Sequence, residues 1–229
     1  MVSLIRKKKV QAVPERNLPE HRHMSMSLTD VFMKRRSSME FSDRTISDDD
    51  LATILWSADG INRKDGHRTT PTPWSWREID LYVVKANGVW LWKPEEQKLD
   101  FVRDKDRRKD LCLLQPLVRQ APVHQVYVYD QSRMTGLVTD MAINILKYFD
   151  APDVETMKEN TLRRAPFLDV GVKIQAVYMA CAALDINCLA RMTFDEKKVH
   201  DTLCLTETQV PVCVQTLGNK PDSIFELAL

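Results

Sequence analysis

Glycine is scarce in this chain, with 6 residues in 229. Neither a GxGxxG nor a GxxxxGK string occurs. That excludes the two glycine-rich loops that cradle phosphate through backbone N–H groups. Net charge is almost absent as well: Lys and Arg total 33 against 32 Asp and Glu, a formal +1. The protein as a whole therefore has no electrostatic pull toward nucleic acid or an anionic membrane. The densest charge run, Arg103 to Asp110, alternates in sign and reads as a solvated helix start, not a nucleic-acid patch. No apolar run reaches the about 20 residues that a membrane-spanning helix needs. The opening MVSLIRKKKV has basic residues without a hydrophobic stretch behind them, so it is no secretory signal, and Glu15 and Glu20 argue against a mitochondrial address. A cytoplasmic protein is expected. The 5 cysteines are odd in number and contain no CxxC pair, the pattern of a reduced chain with core thiols. His21 and His23 flank Arg22 in a polar arm with no further ligands close by, so no metal site is expected.

With 44% hydrophobic and 28% charged residues, the length suits one domain with a real core. Residues 1–26, basic and punctuated by Pro14 and Pro19, read as an extended arm that would wrap a partner subunit; residues 27–229 form the domain. Ser27 or Thr29 caps a short helix ending near Arg36. Ser47 followed by three aspartates starts a second, whose apolar face is Leu51, Ile54, Leu55 and Ala58 and whose stop is Gly60. Strands are expected at Ile79–Lys85, Val89–Lys93, Lys98–Val102, Pro122–Tyr129 and Val210–Thr216, with Asn87-Gly88 as a hairpin turn. A helix runs through Leu137, Met141 and Ile145, and another from Phe194 to Leu203; residues 150–168 have no clear pattern. Asp169–Leu184 predicts a helix apolar on nearly all sides, buried in a core or at a subunit interface.

Three stretches carry chemistry. In Lys34–Phe41 (KRRSSMEF) two arginines precede two serines at the end of the first helix. Guanidinium groups grip phosphate, and hydroxyls with free backbone N–H groups can serve a ring of carbonyls and nitrogens. The plainer alternative is a basic helix end that complements the helix dipole. Residues 62–77 form a long loop with Pro71, Pro73, Trp74 and Trp76, a composition more often functional than structural. The third stretch is the buried helix with its D-x-G-x-x-x-Q pattern from Asp169 to Gln175.

The order RRSS, LWSADGIN, GHRTTPTPWSWREIDLYVV, buried helix and VPVCVQTLG resembles the FMN-dependent nitroreductase family, most closely its branch of azoline-forming thiazole and oxazole dehydrogenases. The resemblance covers roughly residues 28 to 220. It implies a nitroreductase-like α+β fold, with helices around a mixed, mainly antiparallel sheet, and an obligate homodimer holding FMN at its interface. It places Arg35 and Arg36 at the phosphate and pyrimidine side of the flavin and Ser37 at the ring or ribityl. Pro71, Thr72 and Ser75 fall on the flavin-lining loop, Gln175 on the buried helix near the cofactor, and Met192 and Thr193 on the segment whose backbone N–H faces the reactive flavin nitrogen. Arg191 would reach the phosphate or form a surface salt bridge. Met39 stands where the family carries Arg or Lys, Ala176 where it carries Asn, and Asp185 and Asn187 where glycines are usual.

Such a protein would pass hydride from NAD(P)H to nitro, quinone or similar small electron-poor acceptors by ping-pong exchange, with no obligatory side-chain catalyst. Arg68 is a candidate anion contact for substrate. Trp74 and Trp76 form either an aromatic wall over the flavin or substrate, as candidate substrate contacts, or a pair of core anchors, and at least one of them is expected to be an anchor. His67 is a substrate contact or merely a polar loop residue, and Tyr82 reads as core. Two other functions fit the same residues: a degenerate member with weak or no FMN binding, and a dehydrogenase subunit acting on a heterocycle-bearing peptide.

Overall fold

The computed structural model describes residues 15–113, 116–149 and 151–221. Among these the chain runs β1 (Glu15–Asn17), α1 (Leu28–Lys34), α2 (Asp48–Asp59), β2 (Ile79–Lys85), β3 (Gly88–Lys93), β4 (Lys98–Arg103), β5 (Val123–Asp130), α3 (Leu137–Tyr148), α4 (Val154–Ala183), β6 (Asn187–Arg191), α5 (Glu196–Leu203) and β7 (Gln209–Gly218).

Local chemistry sets the boundaries. The Ser47 hydroxyl accepts from the Asp50 N–H at 3.1 Å and caps α2, and Asp48–Asp50 fill its first turn. Gly60 ends it, because a Cβ there would sit 2.1 Å from Cδ1 of Trp56. The β2–β3 turn is one residue earlier than expected. Ala86 and Asn87 make it, and Lys85 pairs with Gly88. Gly88 has φ +136, and a Cβ there would lie 2.5 Å from the Arg103 carbonyl oxygen, so the glycine serves a close strand approach.

The strands form one sheet in the order β1-β4-β3-β2-β5-β7-β6, and every pairing among the described residues is antiparallel. The parallel component of a mixed sheet is not found there. Side chains alternate between faces with the strand period of two. One face carries Leu81, Val83, Trp92 and Tyr127 against α2 and α4; the other carries Tyr82, Val84, Val126 and Val128 against α5. Leu51, Ile54 and Leu55 of α2 are fully buried, worth roughly 1.5–3 kcal/mol each.

Two expectations change. Part of the predicted arm belongs to the domain. Glu15–Asn17 pair with β4, Leu18 enters the core, Arg16 and Arg22 pair with Asp48 and Asp50, and His21 stacks flat on Trp56 at 3.7 Å. Residues 1–14 lie outside the described residues. The second change concerns α4, which starts at Val154 and passes through Pro166, so most of the stretch without a clear pattern is helix. Its second half is not covered on both sides by its own chain. Val170, Val177 and Cys181 face the core, whereas Gly171 and Gln175 are exposed, as are Phe167 and Leu168 just before them.

Candidate cofactor cleft

The C-terminal end of α1 lies against the C-terminal turns of α4. Between them opens a cleft of about 390 Å³, within the usual size range of ligand sites. Lys34, Arg35, Arg36 and Lys220 line it, and among the described residues Asp185 is the one carboxylate on its wall. Asp185 pairs with Lys220. Arg36 is exposed, and no hydrogen bond or ion pair engages it among the described residues. The plainer alternative is half right: Lys34 does sit in the last turn of α1, where the dipole favours a cation. The next two residues nonetheless open onto a shared cavity.

Tyr178 organises this cleft. The Arg35 guanidinium carbon lies 5.5 Å from its ring centroid, a cation–π contact. Its hydroxyl is 3.0 Å from the Ser37 hydroxyl and accepts from the Ala190 backbone N–H at 2.8 Å. Around it, Ser38 N–H donates to the Cys188 carbonyl at 3.0 Å, and Asn187 Nδ2 donates to the Glu40 carbonyl at 2.7 Å. These bonds tie the segment after α1 to β6. Asp185 takes φ +61 in the tight turn between α4 and β6, a left-handed conformation that aspartate tolerates better than bulkier residues.

The remaining expected residues divide into separate places. Met39, Met192 and Thr193 are exposed. Pro71 and Gln175 line a shallow apolar depression of about 550 Å³ on the outer side of α4, with Phe167, Leu168 and Val172. The Thr72 hydroxyl donates to Oε2 of Glu78 at 3.1 Å. Trp74 and Ser75 have φ +48 and +56. Two non-glycine residues in this region store backbone strain, which clusters at functional segments.

Three expected contacts are corrected. Arg191 reaches no cleft phosphate and makes no surface salt bridge. It is buried, and its guanidinium donates to the Leu111 carbonyl at 2.5 Å and the Thr216 hydroxyl at 3.4 Å, with Cys112 Sγ at 3.5 Å. As the last residue of β6 it points into the protein. The terminal nitrogens of Arg68 are not free for an anion: they bind Asp59 Oδ2 at 2.7 Å and Glu95 Oε1 at 2.5 Å. Trp76 is a core anchor, 7% exposed, with its indole N–H donated to Thr139 Oγ1 at 3.0 Å and its ring edge-on to Trp74. His67 pairs with Asp65 on the surface. Tyr82 is core, and burial pushes its hydroxyl up to about 12.

Sequence reasoning missed a buried polar network beneath the 62–77 loop. Lys173 Nζ donates to Asp59 Oδ1 at 2.6 Å and contacts Thr70 Oγ1 at 3.1 Å. One turn earlier, Asp169 sits beside Glu78, both almost wholly buried. Burial pushes the Asp169 carboxyl up to about 7, Thr72 pulls it down, and the Glu78 charge raises it. A signal was present: Asp169 and Lys173 are charges four apart on a helix read as apolar on nearly all sides.

A seven-stranded antiparallel sheet faced by helices, with a cavity lined by cations at its edge, defines an α+β protein. The model of the nitroreductase family matches residues 32–219, and the chain belongs to that family, whose members are oxidoreductases. A Methanocaldococcus jannaschii protein provisionally named a nitroreductase is 22% identical over 204 residues, covering 85% of this chain and 92% of that one. A Ralstonia eutropha structure with the same provisional name superposes with a TM-score of 0.75 at 23% identity, covering 91% of this chain and 90% of that one. The Escherichia coli microcin synthetase complex McbBCD, solved with a truncated pro-microcin bound, contains a chain matching with a TM-score of 0.62 at 15% identity, covering 95% of this chain and 80% of that one. These structural likenesses concern the fold. No helix among the described residues is long and apolar enough to cross a membrane.

Proposed function

We propose that this protein is an FMN-dependent oxidoreductase that takes hydride from NAD(P)H and passes it to small nitro, quinone or similar electron-poor acceptors, working as a homodimer in the cytoplasm. The observation that carries the reading is the cleft itself: among the described residues, four cations and one carboxylate around about 390 Å³, next to a hydroxyl and a cation–π contact. That donor set fits a phosphate monoester with a polar chain attached. Arg35, Arg36 and Lys220 would hold the phosphate, and Ser37 the ribityl or ring. When bound, the flavin supplies the hydride chemistry. The chain's own part is to grip the phosphate, orient the ring and keep one ring face open to substrate. Phe167, Leu168 and Val172 leave an apolar face uncovered beside Pro71 and Gln175. A second copy of the chain seated there would complete the dimer and bring the 62–77 loop to the interface.

The test is an absorbance spectrum of the purified protein before and after incubation with FMN and removal of excess. A retained flavin band that bleaches on adding NADH or NADPH supports the reading. A colourless protein that remains colourless after FMN overturns it.

A second reading, a degenerate member with weakened flavin binding, rests on Tyr178. Its hydroxyl already occupies the Ser37 hydroxyl and a β6 backbone N–H from within the chain. With Met39 supplying no cation, fewer polar groups remain for a ligand. Binding of FMN too tight to be lost on dilution rejects this alternative.

A further inference from the structure

A second cleft, of about 200 Å³, lies away from the basic one, between Asp59, the start of β2 and the residues just after β3. Two residues of its lining each carry a buried N–H donor with no acceptor among the described residues: Nε of Arg68 and Nε1 of Trp92. Trp92 is 3% exposed and the Arg68 side chain 8%. The Arg68 case is informative, because both terminal nitrogens of the same guanidinium are engaged, by Asp59 and Glu95, and only its Nε is left over. Buried donors are nearly always paired, so two orphans on one cavity mark a place where an acceptor belongs.

Charge gives that acceptor a sign. Arg68, Arg77, Lys93 and Arg133 line the cleft against Asp59, Asp80 and Glu95. Arg133 is matched by Asp80, and Lys173 binds Asp59 as well. The Lys93 ammonium has no hydrogen-bond or ion-pair partner among the described residues. The surplus is therefore positive. The remaining wall is apolar, formed by Ile79, Leu81 and the ring of Trp76. A water molecule would satisfy the donors but not the charge. An inorganic oxyanion would satisfy both and leave the apolar wall without a function.

We propose that this cleft binds a short organic carboxylate, whose oxygens accept from Arg68 Nε and Trp92 Nε1, with Lys93 supplying charge and Trp76, Ile79 and Leu81 receiving the hydrocarbon tail. Carboxylates take such paired N–H donors readily. The site is independent of the basic cleft, so it stands or falls separately from flavin binding.

The experiment is a titration of the whole protein with acetate, butyrate and phosphate at constant ionic strength, read by the Trp92 indole N–H resonance. The chain has 5 tryptophans, and Trp92→Phe assigns the signal. We expect a saturable shift with both carboxylates, and butyrate binding about tenfold more tightly than acetate because two more methylenes leave water. Lys93→Met, on a half-buried side chain that nothing in the fold engages, should weaken both about tenfold. A Trp92 resonance that does not shift saturably overturns the proposal. So does an equal response to phosphate, which would make the cleft a site for an adventitious ion only.

Discussion

The Tyr178 hydroxyl lies 3.0 Å from the hydroxyl of Ser37, joining α4 to the segment that follows α1 across 141 positions of sequence. The same oxygen accepts from Ala190 N–H, so one phenol occupies two groups that would otherwise be open to a ligand.

Tyr178→Phe therefore tests which reading of the cleft holds. If the phenol competes with the cofactor, the variant binds FMN about tenfold more tightly, read by quenching of flavin fluorescence. Its unfolding free energy falls by about 1–2 kcal/mol, since Ala190 N–H loses its partner. Unchanged or weaker FMN binding would mean that Tyr178 shapes the site without blocking it.

Arg36→Ala addresses the phosphate grip directly. The side chain is exposed and unengaged among the described residues, so the urea midpoint should stay within error of the parent. FMN affinity should drop about tenfold to a hundredfold, the loss of a charge-assisted contact to phosphate. Equal affinities would remove Arg36 from the site.

The Asp169 carboxyl gives a stability–pH prediction with a defined sign. Burial raises it to about 7 from an ordinary 3.8, so between those two values the folded chain holds a proton that the unfolded chain has released. Stability from this group is fully present below pH 3.8, declines as pH rises to about 7 and is flat above. The total is at most roughly 4 kcal/mol, shared with Glu78. Asp169→Asn keeps the volume and can donate to Glu78. It should flatten the slope of unfolding free energy between pH 3.8 and about 7, and be the more stable protein at pH 8. An undiminished slope in the variant would assign the effect elsewhere.

Lys173→Met leaves Asp59 buried with one cation fewer. Breaking a buried pair from one side destabilises by about 3–5 kcal/mol, a large share of a domain's stability. Adding Asp59→Asn should recover part of it, and a double-mutant cycle by chemical denaturation measures the coupling.

Phe167→Glu tests the homodimer. The side chain is 55% exposed, so folding should survive, whereas a charge on the apolar face of α4 should shift sedimentation from dimer to monomer. A variant that still sediments as dimer would move the interface away from this face.

The elements were largely legible because each carries local instructions. Ser47 and its aspartates cap α2, Gly60 ends it, and alternating strands announce β2 to β5. The start of α4 was less legible, since the polar turns before Asp169 have no apolar stripe and hold Pro166. The Arg35, Arg36 and Ser37 stretch was recognisable from residue types, and the structure places the two arginines on a cleft wall and bonds Ser37 to Tyr178 beside it. Arg68, Arg191 and Trp76 could not be placed that way. A guanidinium or an indole looks the same in sequence whether it meets solvent, ligand or a carbonyl 80 positions distant.

By itself the chain sequence determined the family order of blocks, the strand and helix alternation, and a basic pair at a helix end, because caps, turns and periodicity act over a few residues. Tertiary structure decided which cations remain free. Ion pairing and burial depend on what the fold brings alongside: Asp59 and Glu95 consume the terminal nitrogens of Arg68, Leu111 consumes Arg191, and nothing described consumes Arg36.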